Sequence, residues 1–79
     1  MTKLEKLIET FLSNPRKLKY NDIEKILISA NFELKWWKWS HRKIINPKDN
    51  SVYIVSVHNW DCLRVYKEDL KEIYINNLK

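Results

Sequence analysis

The spacing of apolar residues changes at Asn31, and that change limits the folds open to this chain. Before it, Leu4, Leu7, Ile8, Phe11 and Leu12, then Ile23, Ile26, Leu27 and Ala30, recur at the three- and four-residue steps of helices with one buried stripe. After it, Phe32, Leu34 and Trp36 alternate with Glu33, Lys35 and Trp37, the period of a half-buried strand. Thr2-Lys3-Leu4-Glu5 has the form of a capping box and Asn14-Pro15 stops a helix, so the first helix is expected over Lys3 to Ser13. Arg16 to Tyr20 reads as a basic connector, and Asn21-Asp22-Ile23-Glu24 opens a second helix that ends near Asn31.

Trp39 to Ile45 and Ser51 to Val57 read as further strands, joined by the polar turn Asn46-Pro47-Lys48-Asp49-Asn50. Lys67-Glu68-Asp69 is expected to open a final helix with Leu70, Ile73, Tyr74 and Leu78 inward. The expectation is one α+β domain over residues 1–79, in the order α-α-β-β-β-α. Short connections imply a three-stranded antiparallel meander, with helices on one face and the other face left available. No glycine occurs in the 79 residues, so turns must fall to Asn, Asp, Ser or Pro, and glycine-rich phosphate loops are excluded.

A chain this short buries roughly 60% of its unfolded surface and has no room for a walled cofactor pocket. No cofactor is implied. The charged, periodic start predicts no cleavable leader, and no apolar stretch is long enough for a membrane span. Cys62 is the only cysteine, which fits a reducing cytoplasm. Fifteen Lys and Arg against ten Asp and Glu give +5, a balance that favours a polyanionic partner.

The basic residues cluster. Lys35-Trp36-Trp37-Lys38-Trp39-Ser40-His41-Arg42-Lys43 holds four cations, three indoles, a hydroxyl and an imidazole, with no acid between Glu33 and Asp49. This mixture suits a phosphodiester: cations for phosphate, aromatic faces for bases, and a group that moves a proton near neutral pH. Cutting RNA without a metal needs a base for the 2′-hydroxyl proton and cations for the charge building on phosphorus. His41 is the candidate for the first task, with Lys35, Lys38, Ser40, Arg42 and Lys43 as candidates for RNA contact. Strand alternation puts His41, Lys43 and Ile45 on one face and Ser40, Arg42 and Ile44 on the other. A half-buried histidine hydrogen-bonded within a basic strand is the competing reading of the same residues.

The tryptophans at 36, 37, 39 and 60 read either as a base-stacking platform or as core anchors. His58, Asp61 and Cys62 match no familiar metal-ligand spacing, and nothing adjacent activates Cys62 as a nucleophile. No metal site is expected. Glu68 and Asp69, placed at the start of the last helix, would repel an anion docking there.

Several segments together resemble the HicA family of bacterial toxins. They are Asp22-Ile23-Glu24-Lys25-Ile26-Leu27, Asn31-Phe32-Glu33-Leu34, Lys38-Trp39-Ser40-His41-Arg42, Val55-Ser56-Val57-His58 and Asp69-Leu70-Lys71-Glu72-Ile73. The family pattern is roughly Gly-Phe before the first strand, Lys-Gly-Ser-His at the second and Pro-x-His after the third. The resemblance covers about two thirds of the chain, treats residues 21–78 as the core, and leaves 3–13 as an extra N-terminal helix. It implies a double-stranded-RNA-binding-domain-like fold, mRNA endonuclease activity with His41 catalytic, and a HicB-type antitoxin that covers the site. It gives His58 a supporting role. Asn31, Ser56 and Trp39 stand where the pattern has glycine, proline and glycine. Trp39 is the departure that matters, because an indole beside Ser40-His41 either stacks on a base or obstructs the approach of RNA. The alternative implied by these departures is a degenerate, non-catalytic RNA-binding or antitoxin-binding module.

Overall fold

A computed structural model describes residues 2–36, 40–59 and 61–78. Helix α1 (Lys3–Ser13) is followed by a 3-10 turn (Pro15–Lys17) and helix α2 (Tyr20–Ser29). Strands β1 (Glu33–Trp36), β2 (His41–Ile45) and β3 (Val52–Ser56) precede helix α3 (Arg64–Leu78). The sheet is antiparallel in the order β1-β2-β3, so the expected α-α-β-β-β-α meander is observed.

Local chemistry accounts for α1. The Thr2 hydroxyl accepts from the Glu5 N–H at 3.1 Å while the Glu5 carboxylate accepts from the Thr2 N–H at 3.4 Å, a reciprocal cap. Phe11 is fully buried and meets Tyr74 of α3 edge to face, with ring centroids 5.6 Å apart. Leu7 and Ile8 pack against the core, whereas Leu4 and Leu12, at the margins of the stripe, are exposed. Phe11 joins Leu18, Ile23, Ile26, Leu27, Phe32, Ile44, Val55, Leu70 and Tyr74 in one hydrophobic core between helices and sheet.

Three asparagines take the left-handed conformation that glycine would ordinarily fill: Asn31 (φ 68°), Asn50 (φ 61°) and Asn59 (φ 53°). Asn31 reverses the chain from α2 into β1, and its backbone permits the Phe32 N–H to reach the Leu27 carbonyl at 3.0 Å.

Two helix starts differ from expectation, and one carboxylate helps explain both. Helix α2 begins at Tyr20 rather than at Asn21, and its preceding residue, Lys19, offers no side-chain cap. The cap comes from Asp61 instead, whose Oδ1 accepts from the Tyr20 N–H at 3.2 Å. The same oxygen accepts from the Cys62 N–H at 2.9 Å and pairs with the Lys67 ammonium at 2.9 Å. Helix α3 begins at Arg64, three residues before Lys67-Glu68-Asp69, so its first turn carries no acid. Lys67, expected to open the helix, lies one turn inside it and is buried, with its ammonium paired to Asp61. Glu68 and Asp69 are engaged elsewhere: Arg16 pairs with Glu68 at 3.1 Å, and the Tyr53 hydroxyl donates to Asp69 at 2.6 Å. Leu78, placed inward by the pattern, is exposed.

Burial raises the Asp61 carboxyl, but the hydrogen bond from Lys67, the Cys62 N–H, the Lys67 charge and the Tyr20 N–H outweigh it. They hold the group below the usual carboxylate range. With the folded value below the unfolded one, the stabilisation is complete above the unfolded pKa and is lost as pH falls through the folded value. Because the Asp61 side chain is 42% exposed, solvent screens part of this gain, and Asp61→Asn is expected to cost about 1–2 kcal/mol at neutral pH. It should also flatten the loss of stability that the wild type shows below about pH 4. Urea unfolding measured across that range checks both.

Candidate functional site

The register of the sheet sorts the basic cluster into two faces. Cα partners run Trp36–Arg42–Val55 and Leu34–Ile44–Tyr53 in alternate rows, and Lys35–Lys43–Ile54 and Glu33–Ile45–Val52 in the rows between. Ile44 and Val55 face the helices, and their rows are the covered side of the sheet. The other side carries Glu33, Lys35, His41, Lys43, Ile45, Val52, Ile54 and Ser56, none of them buried. His41, the first residue of β2, is half-buried there opposite Ser56. Lys43 follows on the same face, beside Lys35, whose ammonium is 3.2 Å from the Glu33 carboxylate.

Arg42 has a different fate. It points to the covered side, is 8% exposed, and pairs with the Glu24 carboxylate of α2. Its guanidinium carbon lies 3.9 Å from the centre of the Trp36 ring, which lids the pair from outside. Tyr20, fully buried beside them, has its phenol raised far above the usual range by burial and then by the Glu24 carboxylate, against a lowering influence from Arg42. Among the residues expected to contact phosphate, Arg42 is thus drawn into the structure. Reading β2 alone puts Arg42 on the second face, but the acid that receives it lies 18 residues earlier on a helix.

The second histidine stands at the same end of the sheet as the first. Ser40 precedes β2, and its carbonyl accepts from the Val57 N–H at 2.8 Å, which extends the β2–β3 pairing past His41. His58 is exposed, with Nε2 3.2 Å from the Ser56 hydroxyl and 3.5 Å from the Ser40 hydroxyl. Ser40 and Ser56 therefore join His41, by register, to His58, by contact. Ser56 was not among the site residues expected from the pattern; its signal was its place two residues before His58 on one strand face. Lys38 and Trp39, together with Trp37 and Trp60, lie outside the described residues.

An open depression of about 410 Å³ is lined by Ser56, His58, Asp61, Cys62, Leu63 and Tyr66. Burial pushes the Cys62 thiol up to about 11, which favours the neutral thiol, the less nucleophilic form, at neutral pH. Among the described residues, no group of three or more His, Cys, Asp and Glu is assembled to hold a metal ion. None of their helices is long and apolar enough to cross a membrane. Comparison with protein-family models, curated proteins and solved structures finds no match to this chain.

Because Glu24 and Arg42 are both largely buried, removing either leaves a charge without its partner. Glu24→Ala is expected to lower the unfolding free energy by about 3 kcal/mol, whereas Lys35→Ala, on the outer face, should stay within about 0.5 kcal/mol. Denaturant titration of the two variants compares them directly.

Proposed function

We propose that this chain is a HicA-like toxin, a bacterial cytoplasmic endoribonuclease that cleaves mRNA by metal-independent acid-base chemistry. In this reading its α-α-β-β-β-α order is a variant of the double-stranded-RNA-binding-domain-like fold, and a HicB-type antitoxin is the protein partner that covers the site. One observation carries the proposal: His41 lies on the outer face of the sheet in company with Lys43 and Lys35, not under the hydrocarbon core.

His41 takes the proton of a ribose 2′-hydroxyl, and the freed oxygen attacks the neighbouring phosphorus. Lys43 and Lys35, side by side on adjacent strands, supply positive charge for the phosphorane oxygens. Their opposed positions concentrate positive charge on one spot of the sheet, with Glu33 3.2 Å from the Lys35 ammonium at its margin. Ser40 contributes a hydroxyl at the same end of the strand. The Lys38 and Trp39 contacts rest on the sequence resemblance alone. Arg42 is not assigned to RNA, because its guanidinium already faces Glu24 and Trp36.

That loss of one cation from the RNA side favours a second reading, a binding module that retains the fold and the antitoxin surface without cutting. The two readings separate at His41. The wild type should arrest growth on expression and convert RNA to fragments with 2′,3′-cyclic phosphate ends, with no loss of rate in excess EDTA. His41→Ala should be about 10²- to 10⁴-fold slower while still binding RNA. A wild type that only shifts RNA in a gel, with affinity falling steeply with salt, would establish the binding module instead.

A further inference from the structure

We infer that His58 is the general acid of the proposed cleavage and that the depression beside it seats the nucleoside on the leaving-group side. This inference rests on the endoribonuclease reading of His41. In that reaction the 2′-oxygen bonds to phosphorus and the bond from phosphorus to the 5′-oxygen breaks. The departing electron pair must be met by a proton, or an alkoxide is expelled. His41 ends the step protonated, having received the 2′ proton. A different group must give the second proton, and the two must stand on opposite sides of one phosphate.

The fold brings one other imidazole to this end of the sheet. Ser56 is the cross-strand partner of His41, and the Ser56 hydroxyl is 3.2 Å from His58 Nε2. The Ser40 hydroxyl, next to His41 in sequence, is 3.5 Å from the same nitrogen. Two hydroxyls at these distances orient the ring and mark the direction in which Nε2 can deliver a proton. The loop that carries His58 is braced: His58 and Asp61 exchange backbone hydrogen bonds at 2.8 and 2.9 Å, and Asn59 makes the turn with φ 53°. Lys67 and the Tyr20 N–H hold the Asp61 side chain from behind.

From His58 the surface dips into the open depression, whose lining includes no residue of the Lys35–Lys43 row. The Tyr66 ring and the Leu63 side chain offer it apolar contact, and Leu63 is 66% exposed although large and apolar. A flat heterocycle with a sugar attached matches that combination: a face to lie against Tyr66 and Leu63, and polar edges toward Ser56 and Asp61. Phosphate over the lysines and His41 thus leaves the downstream nucleoside on the far side of His58, with its 5′-oxygen between them. In the complete step, protonated His58 gives its proton to that oxygen as the P–O bond breaks. It leaves the step neutral while His41 leaves it cationic, and exchange with water restores both.

Two substrates test this: a short unstructured RNA, whose leaving group is an alcohol, and a nucleoside 3′-(4-nitrophenyl phosphate), whose leaving group departs without a proton. His58→Ala and His58→Gln should each lower kcat/KM on RNA by about 100-fold or more, yet change the nitrophenyl ester by less than about threefold. His41→Ala should slow both. Leu63→Ser, at an exposed position, should raise KM for RNA about three- to tenfold with little change in kcat. Equal losses on both substrates, or none on either, would remove His58 as the acid. An unchanged KM in Leu63→Ser would remove the nucleoside seat. If the wild type cuts neither substrate, the endoribonuclease reading itself fails and this inference falls with it; a wild type that cuts both, with His58→Ala unaffected on RNA, leaves that reading standing alone.

Discussion

The ion pair between Arg42 and Glu24 pins the central strand, and what stands on the outer face of the sheet depends on it. Side chains of a strand alternate, so a slip of β2 by one residue would carry every inward group outward. Here such a slip would strip Glu24 of its guanidinium and drive His41 and Lys43 under the helices, two polar residues into a space shaped for Ile44. The buried charge pair contributes little net attraction after its desolvation, but it makes the wrong register expensive. Trp36 strengthens the discrimination because its ring closes over Arg42 only when the two are cross-strand partners. A guanidinium turned inward thereby holds Lys35 and Lys43 on the outer face.

Two parts of the outer face differ in chemistry, the middle of the sheet and the end where β2 begins. Along the middle, Lys35 and Lys43 stand side by side, with Ile45, Val52 and Ile54 on the same face and Glu33 paired to Lys35 at its margin. At the end where β2 begins and β3 finishes, hydroxyls and imidazoles replace the cations. On the proposed endoribonuclease reading, charge for holding an anion and groups for moving protons are thus adjacent but separate. Proximity of this kind raises rates by fixing orientation, provided the elements bearing the groups are rigid. β2 meets that condition through strands on both sides, and the loop after β3 meets it through the bracing around Asp61.

Much of the architecture was legible because it is written in short range. The α1 boundaries follow from Thr2, Glu5 and the Asn14-Pro15 stop, all within the helix or beside it. The sheet follows from period-two alternation and from turns that lack glycine, with Asn31 and Asn50 taking its place. His41 and Lys43 could be assigned to one face by counting. What counting could not reach were contacts across long stretches of chain. Asp61 caps a helix that starts 41 residues earlier, Arg42 meets a carboxylate 18 residues back, and Lys67 is buried with its ammonium on that same Asp61. Each looks in sequence like an ordinary surface charge. Ser56 was legible as a departure from a pattern, while its use as the link between two histidines depends on strand register.

The Asp61 carboxylate has a consequence for synthesis. Helix α2 is translated early, yet the acceptor for its first N–H arrives 41 residues later, and the ammonium that neutralises that acceptor arrives six residues later still. While the ribosome is still producing the sheet, the nascent polypeptide therefore has an uncapped helix and an unfilled place in its core where Leu70 and Tyr74 belong. Long-range closure of this sort delays folding until most of the chain is available. Products terminated before Asp61 would lack the brace behind the loop of His58, so the surface that carries both histidines is finished only once residues 61–67 have been made.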